Sequence, residues 1–231
     1  MDAWTTTPVQ TAERISAFLW KVYSWMAIGL GLTAVVAFLV GGSPELLRTL
    51  VGNRLVFFGL VIAELGLVFY LSARAAGLAP GVAAGLFALY SALNGITLSV
   101  VLLAYTGESV TTTFVVTAGM FGALALFGST TKKSLAGAGQ FFMMGLVGLI
   151  LASIVGAFWH NDALQFLISM VGVIVFTGLT AWDTQQIKEM YYEADDYETG
   201  SKKAVMGALR LYLDFINLFM MLMQLLGTRR D

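Results

Sequence analysis

The sequence predicts an all-α integral membrane protein, a bundle of seven transmembrane helices. Three observations carry that reading. Of 231 residues, 58% are hydrophobic and only 12% charged, about half the charged share of an ordinary soluble domain. Mean hydropathy is +0.81, so most of the surface meets something other than water. Apolar runs long enough to cross a hydrocarbon core of about 30 Å, which takes roughly 20 helical residues, recur between polar breaks.

The runs follow in order. Val22 to Val40 comes first, after a basic lead of Arg14 and Lys21. It is longer than the apolar stretch of a signal peptide and no A-x-A site follows, so it reads as a retained helix behind a tail, residues 1–21. Gly41-Gly42-Ser43-Pro44 separates it from Leu55 to Ala73. Arg74 to Gly77 leads into the third run, Pro80 to Tyr105, and Thr106-Gly107-Glu108 into the fourth, Thr111 to Gly128. Ser129 to Lys133 precedes Gly137 to Trp159, and His160-Asn161-Asp162 precedes Ala163 to Trp182. The longest break, Asp183 to Ala204, is strongly charged and ends at the seventh run, Val205 to Leu226. Residues 22–231 thus form one seven-helix transmembrane domain without a soluble module.

Composition also excludes. Thirteen Lys and Arg against 14 Asp and Glu give a net charge of −1, so no basic surface is available for a nucleic acid. With no cysteine there is no disulfide framework, thiolate metal site or cysteine nucleophile. The lysines, at positions 21, 132, 133, 188, 202 and 203, all fall in loops or at interfaces, so none serves a mid-membrane Schiff base and a retinal protein is excluded. Two membrane aspartates invite an aspartyl protease, but the flanks Ala181-Trp182-Asp183 and Leu213-Asp214 lack a Gly-x-Gly-Asp context. The chain therefore reads as a non-enzyme without a cofactor.

Positive loops are retained in the cytoplasm. The amino-terminal side holds Arg14, Lys21, Arg74, Lys132, Lys133, Lys188, Lys202, Lys203 and Arg210, nine in all, and the other side only Arg48, Arg54, Arg229 and Arg230. The amino terminus is expected in the cytoplasm and the carboxyl terminus outside. Small residues let helix backbones approach in lipid. Gly148, Ala152 and Gly156 on the fifth helix, and Gly81, Gly85, Ala84, Ala88 and Ala92 on the third, are the expected seams.

Charge within a bilayer is costly, about 2.5–3.5 kcal/mol on insertion scales, so each membrane-embedded ionisable residue is a candidate functional group. Three stand out: Glu64 mid-way along the second helix, Asp183 at the cytoplasmic end of the sixth, and Asp214 towards the cytoplasmic end of the seventh. On the seventh helix Arg210, Asp214, Asn217, Met221 and Gln224 recur at spacings of 4, 3, 4 and 3, which sets them on one face. That face must meet protein or a wet cavity. Asp183 and Asp214 sit on helices of opposite direction near the same side. If their carboxyls meet, they share a proton and titrate as a pair, which would sense pH or bind a hard cation. Calcium takes such oxygens, and Asp183, Asp214 and Asn217 supply them. The plainer alternatives are an Arg210–Asp214 pair one turn apart and an Asp183 solvated at a helix end. Glu64 has no charge partner on its own helix; it is either bonded to Asn94 or Thr97 of the third helix or an ion ligand. His160 reads as a solvated turn residue, Met220, Met221 and Met223 as a helix interface, and Glu189, Glu193, Asp195, Asp196 and Glu198 as a solvated loop.

Phe176-Thr177 through Asp183-Thr184-Gln185-Gln186-Ile187, with Leu211-Tyr212-Leu213-Asp214-Phe215-Ile216-Asn217-Leu218-Phe219, resembles the signature of the Bax inhibitor-1 (transmembrane Bax inhibitor motif) family. Thr130-Thr131-Lys132-Lys133 and Asn94-Gly95-Ile96-Thr97-Leu98 are also similar, and the resemblance runs from Ala12 onward. It implies six helices around a central seventh and a pH-sensitive calcium leak gated by a hydrogen-bonded aspartate pair, here Asp183 and Asp214. It also implies an acidic residue in the second helix, Glu64, and a basic latch onto the pair, Arg74. Trp182 stands where the family usually shows tyrosine. The bacterial pattern implies a plasma (inner) membrane protein. The expected function is a calcium or cation leak channel; the alternative is a membrane interaction protein that modulates an ATP-dependent membrane protease.

Overall fold

The computed structural model describes residues 8–74, 77–159, 161–191 and 196–230. His160 and part of the acidic run, Glu193 and Asp195, lie outside them. Seven long apolar helices make up the described chain: α1 (Pro8–Gly41), α2 (Arg54–Arg74), α3 (Pro80–Ala104), α4 (Gly107–Thr130), α5 (Ala136–Phe158), α6 (Asp162–Glu189) and α7 (Tyr197–Leu226). A short helical turn over residues 44–51 joins α1 to α2. Successive helices alternate in direction, so α1, α3, α5 and α7 start on one face, termed the near face, and end on the far face.

Local chemistry sets the helix starts. Pro80 occupies the first turn of α3, where a missing N–H costs nothing. Thr106, Asn161 and Asp196 cap α4, α6 and α7 by accepting from the main-chain N–H of Ser109, Leu164 and Thr199. Those bonds hold the exposed Asp196 carboxyl below its ordinary pKa, chiefly through Thr199. The helices outrun the apolar runs that predict them. α1 starts at Pro8, so much of the expected tail is helical, and α7 starts eight residues before Val205. Asp183 is accordingly not at the end of α6 but within it, because the helix continues to Glu189 with Thr184, Gln185 and Ile187 buried. Gln185 holds this extension to the α4–α5 loop, accepting from Leu135 N–H at 2.7 Å and donating to the Lys133 carbonyl at 2.9 Å.

Burial is uneven. α7 is the most enclosed helix, packed against α1, α3, α4 and α6, while α2 leans mainly on α3 and α5 on α6. Its buried face carries Leu211, Tyr212, Leu218 and Met223, all fully enclosed. Tyr212 meets Phe87 and Tyr90 of α3 edge-on, and its hydroxyl bonds Thr33 of α1 at 2.6 Å. Thr33 also donates to the Ser91 carbonyl at 2.8 Å, so a polar knot ties α1, α3 and α7 at depth.

The expected small-residue seams need correction. A side chain at Gly81, Gly85 or Gly148 would meet open space, so these glycines face outward. On α5 the expected Ala152 and Gly156 do turn inward, but their companions are Leu149 and Gly145 and not Gly148, with Gly145 against Val175 and Gly156 against Gln165. On α3 the tight point is Gly95, where a Cβ would sit 2.7 Å from the Thr33 carbonyl oxygen. Gly128 of α4 abuts the Ala181 backbone of α6 in the same way. Spacing by four cannot choose which side of a helix is turned inward; packing volume chooses it.

Candidate functional site

The polar stripe of α7 does meet a cavity. Arg210, Asp214, Asn217 and Met221 line a space of about 880 Å³ whose other walls come from α2, α3, α5 and α6. Gln224, the fifth member, lies off it and accepts a hydrogen bond from Ser169 of α6 at 2.7 Å. Asp183 and Trp182 of α6 border the same space, as do Tyr90 and Asn94 of α3.

The two aspartates come together. The Asp183 and Asp214 carboxyls are within hydrogen-bonding reach of each other across the α6–α7 seam. Asp214 is 5% exposed, and its Oδ2 is buried without a hydrogen-bond partner. Arg210 places a guanidinium nitrogen 3.9 Å from Asp183 Oδ1. The ion contact therefore runs between helices, not along α7 to Asp214 as the one-turn spacing allowed. Nor is Asp183 a solvated helix end, since its side chain is only 15% exposed. Arg74, the residue the resemblance assigns as latch, lies exposed at the end of α2, without an ion pair among the described residues. The cation at the pair is Arg210.

Three further features shape the cavity wall. Trp182 lies over Gly139 of α5, where any side chain would collide with the indole, and its Nε1 is buried without a partner. Asn94 Oδ1 is likewise unpartnered. Asn217, which also lines the cavity, donates its amide to the Leu213 carbonyl of its own helix at 2.8 Å. Buried polar atoms without partners are costly in protein and rare, about 1–3 kcal/mol each, and here three of them belong to residues that line one space, Asn94, Trp182 and Asp214. The rest of the wall is largely apolar, with Leu65, Val68, Met143, Leu149 and Phe176 among its residues.

Glu64 has found its partner on α3. With Leu71 it is one of the two buried residues of α2, and its Oε1 accepts from the Thr97 hydroxyl at 3.0 Å. Asn94 is also within hydrogen-bonding reach of it and of Tyr90. Tyr90, Asn94 and Thr97 are spaced 4 and 3 apart. The same arithmetic that marks α7 therefore marks a polar face on α3, and Tyr90 is the member that sequence reasoning missed. Among the described residues no three acidic or histidine side chains gather. Two carboxyls with a guanidinium beside them do not supply the six to eight oxygens that calcium takes.

Comparison with known proteins agrees with this architecture. A family model described as the inhibitor of apoptosis-promoting Bax1 matches residues 15–231. The chain belongs to that Bax inhibitor family. Among its relatives is the inner membrane protein YbhL of Escherichia coli K12, 47% identical over 224 residues, with 96% of each chain covered. An uncharacterised protein of Rickettsia prowazekii is 42% identical over 221 residues, covering 95% of this chain and 92% of its own. One from Deinococcus radiodurans is 41% identical over 225 residues, covering 97% and 96%. This Bax inhibitor family member is thus a multi-pass membrane protein whose aspartates meet at a cavity beside its most buried helix.

Proposed function

We propose that this Bax inhibitor family member is a pH-sensitive leak pathway for cations, calcium among them, closed by the Asp183–Asp214 pair and seated in the bacterial inner membrane with its near face to the cytoplasm. The observation that carries the reading is the carboxyl–carboxyl contact at the wall of a wide cavity, with Arg210 beside it. A hydrogen bond between two carboxyls needs a proton on one of them. Once that proton leaves, two negative charges face each other across the α6–α7 seam, and their repulsion separates the helices. The charged groups lining the cavity are Asp183, Asp214 and Arg210. Opening exposes a carboxylate surface that attracts cations and discriminates weakly among them.

The sign follows. Lower pH keeps the shared proton and the closed pair; higher pH removes it and opens the path. Purified protein in liposomes is expected to pass calcium faster at pH 8 than at pH 6. Asp214→Asn keeps a hydrogen bond to Asp183 through its amide, with no proton to lose, and is expected to flatten that dependence. Flux equal to that of empty liposomes across the range would remove conduction and favour the alternative of a partner-modulating protein.

A further inference from the structure

A second concavity lies on the far-face half of the bundle, away from the aspartates. It is a groove of about 480 Å³ between α1 and α4, floored by α3 and α7. Ala34, Phe38, Leu102, Phe114 and Phe219 form its apolar walls, and Arg230 stands at its mouth. The floor is buried, whereas the rim residues Ala34, Phe38 and Phe114 are exposed, so the groove opens sideways to the bilayer.

Its dimensions and its one charge suggest an occupant. Along α1 the groove runs from Leu30 to Gly41, about 16 Å at helical rise, which is one leaflet of a hydrocarbon core about 30 Å thick. Arg230 is held at the mouth by main-chain bonding. The segment after α7 runs antiparallel to the end of α3, pairing Arg229 with Tyr105, and Arg230 N–H donates to the Ala104 carbonyl at 3.0 Å. Thr106 N–H donates to the Thr228 carbonyl at 3.1 Å, and Thr228 N–H to the Ser109 hydroxyl at 2.9 Å. Thr228, Arg229 and Arg230 are thereby fastened across the α3–α4 junction. The Arg230 side chain makes no ion pair among the described residues.

We infer that this groove binds one phospholipid of the far-face leaflet, its acyl chain lying between α1 and α4 and its phosphate on the Arg230 guanidinium. Arginine suits that task because its planar fork matches phosphate oxygens, and at a membrane interface the contact is only partly screened. The apolar walls accept a chain that cannot coat them as closely from the bulk lipid. The site is separate from the aspartate cavity and does not depend on conduction.

Native mass spectrometry of the delipidated full chain in detergent, titrated with dioleoyl phosphatidylglycerol, tests it. The wild type is expected to hold one phosphatidylglycerol more tightly than any later one. Arg230→Gln should weaken that first lipid about tenfold, the loss of one charge-assisted hydrogen bond pair. Ala34→Trp fills the groove from the α1 rim and should abolish the first site; Thr111→Trp does the same from the α4 rim, should the first variant fail to fold. Dioleoylglycerol, which has the chains without the phosphate, should bind about as weakly as phosphatidylglycerol binds Arg230→Gln. Equal first-lipid affinity in the wild type, Arg230→Gln and the tryptophan variants would overturn the proposal. So would inorganic phosphate competing the lipid away at equal concentration, or a dimer that the tryptophan variants break, which would make a second copy the occupant.

Discussion

Arg210 and Glu64 are ionisable residues within membrane-spanning helices, and each has a definite neighbour. The Arg210 side chain is 46% exposed and 3.9 Å from Asp183, so its pull on the carboxylate is real but screened. Replacing it by glutamine removes a cation that favours the ionised pair. The pH at which calcium flux rises should therefore move upward in Arg210→Gln proteoliposomes, by less than about one unit given that screening. An unchanged profile would mean that Arg210 is only a solvated residue at the cavity edge. Glu64 is bonded to Thr97 across α2 and α3. Glu64→Gln keeps the accepting oxygen and should hold thermal stability within about 1 kcal/mol, whereas Glu64→Leu strands the Asn94 and Thr97 polar groups and should cost about 1–3 kcal/mol, read by thermal unfolding in detergent. The aspartate contact was legible in the sequence because chain direction alone brings Asp183 and Asp214 to neighbouring depths. Its cation was not. Helical spacing offered Arg210 to Asp214, and only the rotation of α7 against α6 turns that guanidinium to Asp183.

Helix contacts were less legible than helix positions. Runs of apolar residues betray a span because hydrocarbon thickness fixes its length, and each of the seven expected spans overlaps an observed helix. Which glycines touch a neighbour depends on the facing side chains: of the expected pair Gly148 and Gly156 only Gly156 meets one, and Gly145 takes the place of Gly148. A pair of substitutions separates the two classes. Gly128→Ala drives a Cβ into the Ala181 carbonyl and should destabilise the α4–α6 contact by about 1–3 kcal/mol, seen as a lowered unfolding temperature. Gly148→Ala enters open space and should leave that temperature unchanged. Equal effects at both positions would mean that α4 and α6 do not approach as closely as described. The Trp182–Gly139 contact belongs to the same class. Nothing in the local sequence of either helix announces it, because the indole finds its space forty-three residues earlier in the chain.

Across the bundle, charge is distributed as a membrane requires. The positive residues gather at the near face, where α1 begins and the α4–α5 loop carries Lys132 and Lys133, and few lie at the far face. On the positive-inside rule it supports the proposed orientation, near face to the cytoplasm. The chain has no cysteine, so single cysteines report topology cleanly. Lys132→Cys should resist a membrane-impermeant maleimide in intact cells and react after lysis, and Asp162→Cys at the far face should react in both; the reverse pattern would invert the protein. In that proposed orientation the aspartate pair lies on the cytoplasmic half of the proposed path, where cytoplasmic pH would govern it. Calcium flux through reconstituted wild-type and Asp214→Asn protein, measured from pH 6 to pH 8, tests this gate most directly. The account predicts a wild-type rate that climbs with pH and a variant rate that does not. A variant that keeps the wild-type pH profile would contradict it.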